Sequence, residues 1–301
     1  MELALNGTYD ILSGIIVPGL SDTLNCLAQN LQSGVKKYPT IFIAYPQNRF
    51  IPSGIEFLVN ELTGIKKKLE NIKGGEISEE DIQRSIKIYN EHKVAMREFS
   101  KLAASHPRSI KASDRCYVLK SGYFMLKEEN NELLKEINAV LESMPNEDWD
   151  GVKVVTSGII TDNEGLLEVF DNYKVCIVAD DVAHESRALK IDIDLSISDP
   201  MLALADQFAR MDEDPILFDP DITKRPEYVL NLAKENKADG CLLFMMNFND
   251  TEEMEYPSLK QAFDKARVPL IKMGYDQQMV DFGQVKTQLE TFREIVELNR
   301  A

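Results

Sequence analysis

Residues Gly240-Cys241-Leu242-Leu243-Phe244-Met245-Met246 form an unbroken apolar run with no polar alternation. A strand with one face in water alternates polar and apolar side chains; a strand without alternation is covered on both faces. This run is also flanked by helical patterns. The segments Val152–Ile160, Lys174–Ala179, Gly240–Met246 and Pro269–Met273 read as strands. Between and after them, Glu164–Asp171, Met201–Met211, Pro226–Asn236, Tyr256–Ala266 and Val285–Leu298 read as helices. Alternating strands and helices with continuous apolar strands specify a parallel sheet between helical layers. Ligands of such sheets sit beyond the carboxyl ends of the strands. That rule points to Thr156–Gly158, Asp180–Asp181, Asn247–Asp250 and Gly274–Asp276.

The first half is thinner in strands. Gly14-Ile15-Ile16-Val17-Pro18 is a short strand stopped at Pro-Gly, and Ser21-Asp22-Thr23 offers an N-cap to a helix carrying Leu24, Leu27, Ala28 and Leu31. Thr40–Tyr45 is a second strand, ended by Pro46-Gln47-Asn48. Long helices follow: Ile55, Leu58, Val59, Leu62, Ile65 and Leu69 recur at three and four, Gly74-Gly75 interrupts, and Ser78-x-x-Asp81 opens the next helix. Helical patterning continues over residues 114–144 with a bend near Gly122, and Met144-Pro145-Asn146 marks a boundary. The expected organisation is α/β, with two doubly wound, Rossmann-like lobes joined by long helices. Residues 1–147 form the N-terminal lobe and connector, and 148–301 the C-terminal domain. Two parallel strands alone are marginal. The first lobe therefore reads as incomplete at its N-terminus, or as supported by a partner chain.

Composition narrows the function. A formal charge of −16 argues against nucleic acid, which needs clustered Lys and Arg. No apolar run reaches the roughly 20 residues of a membrane span, and the first residues lack a secretory signal, so a cytoplasmic location is expected. Cys26, Cys116, Cys176 and Cys241 are widely separated, without C-x-x-C or zinc-type spacing, and read as free thiols. There is no G-x-G-x-x-G, P-loop or G-x-S-x-G. His92 and His106 read as surface residues, and His184, just past a strand end, as a cleft candidate. Asp180-Asp181 reads first as a partner for Arg187 or a helix cap, and no metal is assigned to it.

The specific signal is a series of motifs in order along the chain. Ile16-Val17-Pro18-Gly19-Leu20-Ser21-Asp22-Thr23-Leu24 is followed by Cys26-Leu27-Ala28-Gln29-Asn30, Pro46-Gln47-Asn48-Arg49, Ile88-Tyr89-Asn90-Glu91-His92 and Lys120-Ser121-Gly122-Tyr123-Phe124. Val178-Ala179-Asp180-Asp181 with Arg187, Asp239-Gly240 through Met246, Phe248, Asp250, Glu252-Glu253 and Tyr256-Pro257, and Gly283 through Phe292 complete the series. Together these resemble the 2-hydroxyacyl-CoA dehydratase family, in particular its smaller, β-type subunit.

The resemblance implies a heterodimer in anaerobic metabolism, with a cubane [4Fe–4S] cluster on three cysteines and an ATP-dependent activator that supplies one electron. The electron converts an acyl-CoA thioester to a ketyl radical that expels hydroxide, a lyase reaction. The family pattern has a cysteine where this chain has Ser21, and another where it has Asn249; its third ligand would precede Met1. Lys286 and Gln288 stand where the family tends to carry Arg. A serine hydroxyl and an amide oxygen are poor substitutes for soft thiolates. The expectation is therefore a chain without its own cofactor, acting as a structural or assembly partner of a cluster-bearing subunit, not catalytic alone. Two alternatives stand: a working β subunit whose catalysis resides in the partner, and a small-molecule binding protein. Ser21 and Asn249 are the vacated cluster positions; Asp22, Gln47, Asp180, His184, Arg187 and Asp250 are the other cleft candidates, with acyl-CoA a possible ligand.

Overall fold

The computed structural model describes residues 1–247, 249–276 and 278–300, the side chains of 299 and 300 excepted. Phe248, the first residue of the Phe248-Asn249-Asp250 motif, lies outside the described residues. The chain runs α1 (Glu2–Leu5), β1 (Ile15–Pro18), α2 (Asp22–Gly34), β2 (Thr40–Ile43), α3 (Pro52–Lys73), α4 (Glu79–Ser105), α5 (Ala112–Ser121) and α6 (Lys127–Ser143). It continues with β3 (Val152–Gly158), α7 (Glu164–Asn172), β4 (Val175–Val182), a kinked helical turn at Ala183–Arg187, α8 (Pro200–Ala209) and α9 (Lys224–Glu235). β5 (Gly240–Met246), α10 (Asp250–Ala266), β6 (Leu270–Tyr275) and α11 (Gly283–Arg300) close it. The protein is α/β and mostly helical, with one two-stranded and one four-stranded parallel sheet.

Two compact units emerge. The first comprises Met1–Lys87, Ile193–Asp212 and Ile216–Phe218; the second comprises Ile88–Asp192, Glu213–Pro215 and Asp219–Ala301. In the first, β1 pairs in parallel with β2, from Ile15 opposite Thr40 to Pro18 opposite Ile43. One face of this pair packs with α2 through Val17, Ala28, Leu31 and Val35. The other packs with α3 and α8 through Ile41, Ile43, Leu58, Ile65, Ala205 and Phe208. The pair is thus covered on both faces, as parallel strands must be.

In the second unit the strand order is β4-β3-β5-β6. One face is sealed by α7 and α11, with Phe170, Phe244, Tyr275, Leu289 and Phe292 in one cluster. The other is sealed by α9 and α10, with Val155, Val229, Leu243, Leu259 and Phe263. This double coverage is why β5 has no polar alternation. Successive strands are added on opposite sides of β3, so the order reverses beside the carboxyl ends of β3 and β5, where ligands of open α/β sheets bind.

β4 departs from simple alternation. Its register against β3 shifts between Val154 and Val155: Val154 pairs with Ile177 and Val155 with Ala179. Val178 is the extra residue of a bulge. Val178 and Ala179 both pack against the α9/α10 cluster, although consecutive strand residues normally face opposite ways. The strand also runs beyond the expected Ala179, to Val182. Likewise α10 starts at Asp250, six residues before the expected Tyr256, with Asp250, Glu252 and Glu253 in its first turn. Carboxylates there are favoured by the helix dipole.

Two histidines correct the sequence reading. His92 and His106, expected at the surface, are both buried. His92 Nε2 lies 2.8 Å from Asn130 Oδ1, and His106 Nδ1 lies 2.8 Å from the Leu102 carbonyl. Glu91 suggested an exposed helix face; the covering residue comes from α6, 38 positions away. Burial lowers the His92 pKa below its ordinary value, outweighing the Asn130 hydrogen bond, with Lys127 and Lys93 adding to the lowering. The unfolded chain then takes up a proton first as pH falls, so stability is lost through and below the ordinary histidine range near 6.5. The thermal midpoint should fall by a few degrees on acidification through that range, and His92→Gln should flatten the slope. An unchanged slope in His92→Gln would assign the loss to another group.

Candidate functional site

The first unit has an open cleft at the carboxyl ends of its two strands. Its volume is about 600 Å³, and Gly19–Asp22, Asn25, Tyr45–Asn48 and Ile216–Phe218 line it. Three predicted residues, Ser21, Asp22 and Gln47, meet here. Ser21 also has an ordinary structural role, since its Oγ accepts the Leu24 amide at 3.3 Å and caps α2. The Pro46–Asn48 loop is held close to α3, because a Cβ on Gly54 would lie 2.2 Å from the Asn48 carbonyl oxygen. Beside it Arg49, buried, pairs with Asp212 at 2.8 Å and stacks on Phe50.

The second unit carries Asp180, His184, Arg187, Asn249 and Asp250 at the carboxyl edge of its sheet. Asp180 and Asp181, adjacent in sequence, face opposite sides of the sheet and enter different ion networks. Asp180 accepts from the Val182 and Ser186 amides at 3.1 and 3.0 Å and pairs with Arg115 on α5. Arg115 also reaches Glu185 Oε2 at 2.5 Å. Asp181 pairs with Arg225 on α9 at 2.6 Å and with Arg187 at 3.1 Å, and accepts from Ser157 Oγ at 3.2 Å. Arg225 in turn meets Glu255 at 2.5 Å.

Burial alone would raise the Asp181 carboxyl; Arg225 and Arg187 outweigh it and hold it below the usual range. Arg115 is desolvated, which would lower it, but Asp180 and Glu185 raise it on balance. These charges are buried and paired, which ties Asp180 and Arg187 into the sheet edge, while Arg115 Nε and Arg187 Nη1 have no hydrogen-bond partner among the described residues. Sequence reading counted Arg187 as the partner and missed Arg115, Arg225 and Glu185. The available signal was arithmetic: two carboxylates ending one apolar strand need more than one cation.

Asn249 precedes α10 and makes no side-chain cap bond; Asp250 opens the helix at the edge of the sheet. Glu252 follows, buried, and accepts the Met246 amide at 3.0 Å. Burial raises its pKa. Nearby, Asn247, Gly274, Asp276, Gln278, Met279 and Gln284 line a smaller cleft of about 280 Å³ beyond β5 and β6. Of the strand-end segments expected to meet a ligand, Asn247, Gly274 and Asp276 border this hollow.

Parallel α/β sheets with polar carboxyl edges define a class that binds small molecules at strand ends, and many families share it. The chain matches the family profile "2-hydroxyglutaryl-CoA dehydratase, D-component" over residues 1–296, and it belongs to that family. It is 46% identical over 297 residues to the (R)-2-hydroxyglutaryl-CoA dehydratase subunit beta of Acidaminococcus fermentans, covering 98% of this chain and 78% of that protein. It is 38% identical to the (R)-phenyllactyl-CoA dehydratase beta subunit of Clostridium sporogenes, and 37% to the lactoyl-CoA dehydratase subunit beta of Anaerotignum propionicum, with the same shares covered. Among the described residues no helix is long and apolar enough to cross a membrane.

Proposed function

We propose that this chain is the β-type subunit of a 2-hydroxyacyl-CoA dehydratase and works without an iron–sulfur cluster of its own, as structural and assembly partner of a cluster-bearing subunit. The observation that carries the assignment is similarity over 98% of the chain to three β subunits whose names specify three different 2-hydroxyacyl-CoA substrates. In this reading both units are doubly wound, Rossmann-like lobes, and Ser21 and Asn249 mark positions where relatives hold cluster thiolates. Asp22, Gln47 and Asp250 are the polar groups at strand ends offered to an acyl-CoA.

Donor chemistry supports the cluster-free part. A cubane is held by converging thiolates. Among the described residues no three cysteines converge: Cys26 is exposed on α2, and Cys116, Cys176 and Cys241 are buried. Burial pushes the Cys176 thiol up to about 11 and the Cys116 thiol up to about 12, the latter helped by Glu185 and Asp162. Among the described residues they do not come together as the set of thiolates a cubane requires. The residues at hand therefore do not fit a cubane.

Anaerobic purification of the chain should give no acid-labile sulfide and no broad visible absorption. A cubane's four irons and four sulfides per chain would overturn the cluster-free reading. Co-expression with a cluster-bearing subunit and its activator should give a stable complex that dehydrates (R)-2-hydroxyglutaryl-CoA. Equal activity without this chain would overturn the subunit assignment.

A further inference from the structure

Cys116 on α5, and His184 and Glu185 in the kinked turn after β4, bring one ligand atom each within 4.8 Å of one another. Glu185 is 2% and Cys116 2% exposed, while His184 is 21% exposed and forms the solvent side of the group. Glu185 has φ −115° and ψ −115°, outside helical geometry, so the chain is kinked where the three groups meet.

The second coordination layer is already in place. The His184 Nδ1–H donates to the Ile159 carbonyl at 3.1 Å. A carbonyl can only accept, so the proton is fixed on Nδ1 and Nε2 carries the lone pair. Metal-ligating histidines are oriented in this way, by a hydrogen bond from the other ring nitrogen. His184 Nε2 is shielded from solvent and has no hydrogen-bond partner among the described residues, an unmet acceptor that otherwise costs stability. It faces Glu185 Oε1 at 3.8 Å. Glu185 is held in turn by Thr161 Oγ1 at 2.9 Å and by Arg115 at 2.5 Å.

We propose that Cys116 Sγ, His184 Nε2 and the Glu185 carboxylate form a three-ligand site for a divalent cation of the zinc class. Sulfur, imidazole and carboxylate suit Zn²⁺ and its stand-in Co²⁺, and hard cations such as Mg²⁺ and Ca²⁺ avoid such a set. Ligands at zinc distances of about 2.0–2.3 Å sit roughly 3.5 Å apart, so the triangle closes by about 1 Å on binding. Binding displaces the Cys116 thiol proton to solvent and converts the thiol to a thiolate. The site ties α5 to the end of β4. It uses neither Ser21 nor Asn249 and does not depend on the subunit assignment.

Titrating the chelator-treated full chain with Co²⁺ tests it. One equivalent should bind per chain, with a near-ultraviolet thiolate-to-cobalt charge-transfer band that Zn²⁺ abolishes by competition. Cys116→Ser should lose the band. His184→Gln should weaken binding roughly tenfold or more. Because His184 lies at the surface of the group, that variant tests the site without disturbing the core. Cys26→Ser should keep the band. No saturable Co²⁺ binding by the parent chain, a band that survives Cys116→Ser, or a band lost in Cys26→Ser would overturn the proposal. Acid-labile sulfide distinguishes any cubane from this site, since mononuclear metal carries none.

Discussion

Arg115→Met is expected to lower the unfolding free energy by about 3–5 kcal/mol, the range for breaking a buried ion network from one side. Arg115 is the guanidinium that meets both Asp180 and Glu185, and all three are nearly inaccessible to water. Methionine fills the volume of the stem but leaves two carboxylates in a low-dielectric interior. They would each have to take up a proton or draw water into the sheet edge. Arg115→Lys should fall between, because a point charge cannot fork to two carboxylates at once. Denaturant midpoints at constant slope measure both. A loss below about 1 kcal/mol for Arg115→Met would place the network in the range of exposed ion pairs and sink this account.

Gly158→Ala should cost about 2–5 kcal/mol, because backbone strain and a steric clash both act at this position. Gly158 ends β3 with φ at +151°, a conformation side chains rarely adopt. A Cβ there would also stand 2.5 Å from the Phe244 carbonyl oxygen, which is backbone and cannot rotate away. The damage falls between β3 and β5, where Gly158 pairs with Phe244 and the strand order reverses. Gly274→Ala, on the carboxyl end of β6, is the matched control. Its nearest neighbour would be Asn247 Oδ1 at 3.7 Å, an ordinary contact. Its cost should stay within about 1 kcal/mol. Equal costs for the two substitutions would mean that the close approach at Gly158 is relieved by strand movement.

Most of the longer elements were legible in the residues, and the reason is local. The apolar run of β5, the Pro-Gly stop after β1 and the Gly74-Gly75 break act within a few positions of where they stand. Long-range partners were not. The buried side of α4 is decided by Asn130 and Asn138 on α6, which bond to groups far away in sequence. The cations for Asp180 and Asp181 sit on α5 and α9, 65 and 44 positions from their carboxylates, and nothing near those arginines announces it. Cys116 and His184 show the same limit: metal spacing rules see short intervals, and these residues meet only because α5 packs against the end of β4. The Ser21–Asp22–Gln47 group was legible because two turns ending neighbouring strands necessarily share an edge.

The bulge at Val178 sets the phase of everything downstream on β4. With one residue fewer between Ile177 and Asp180, the two carboxylates would exchange sides, Asp180 turning toward Arg225 and Asp181 toward Arg115. Neither would then be spaced for its other partners, Ser186 and Arg187 in the turn that follows. The number of residues in this strand is therefore a stricter requirement than the identity of Val178 or Ala179. Apolar exchanges there leave the charge layout intact, whereas a single deletion rewires both helical layers at once.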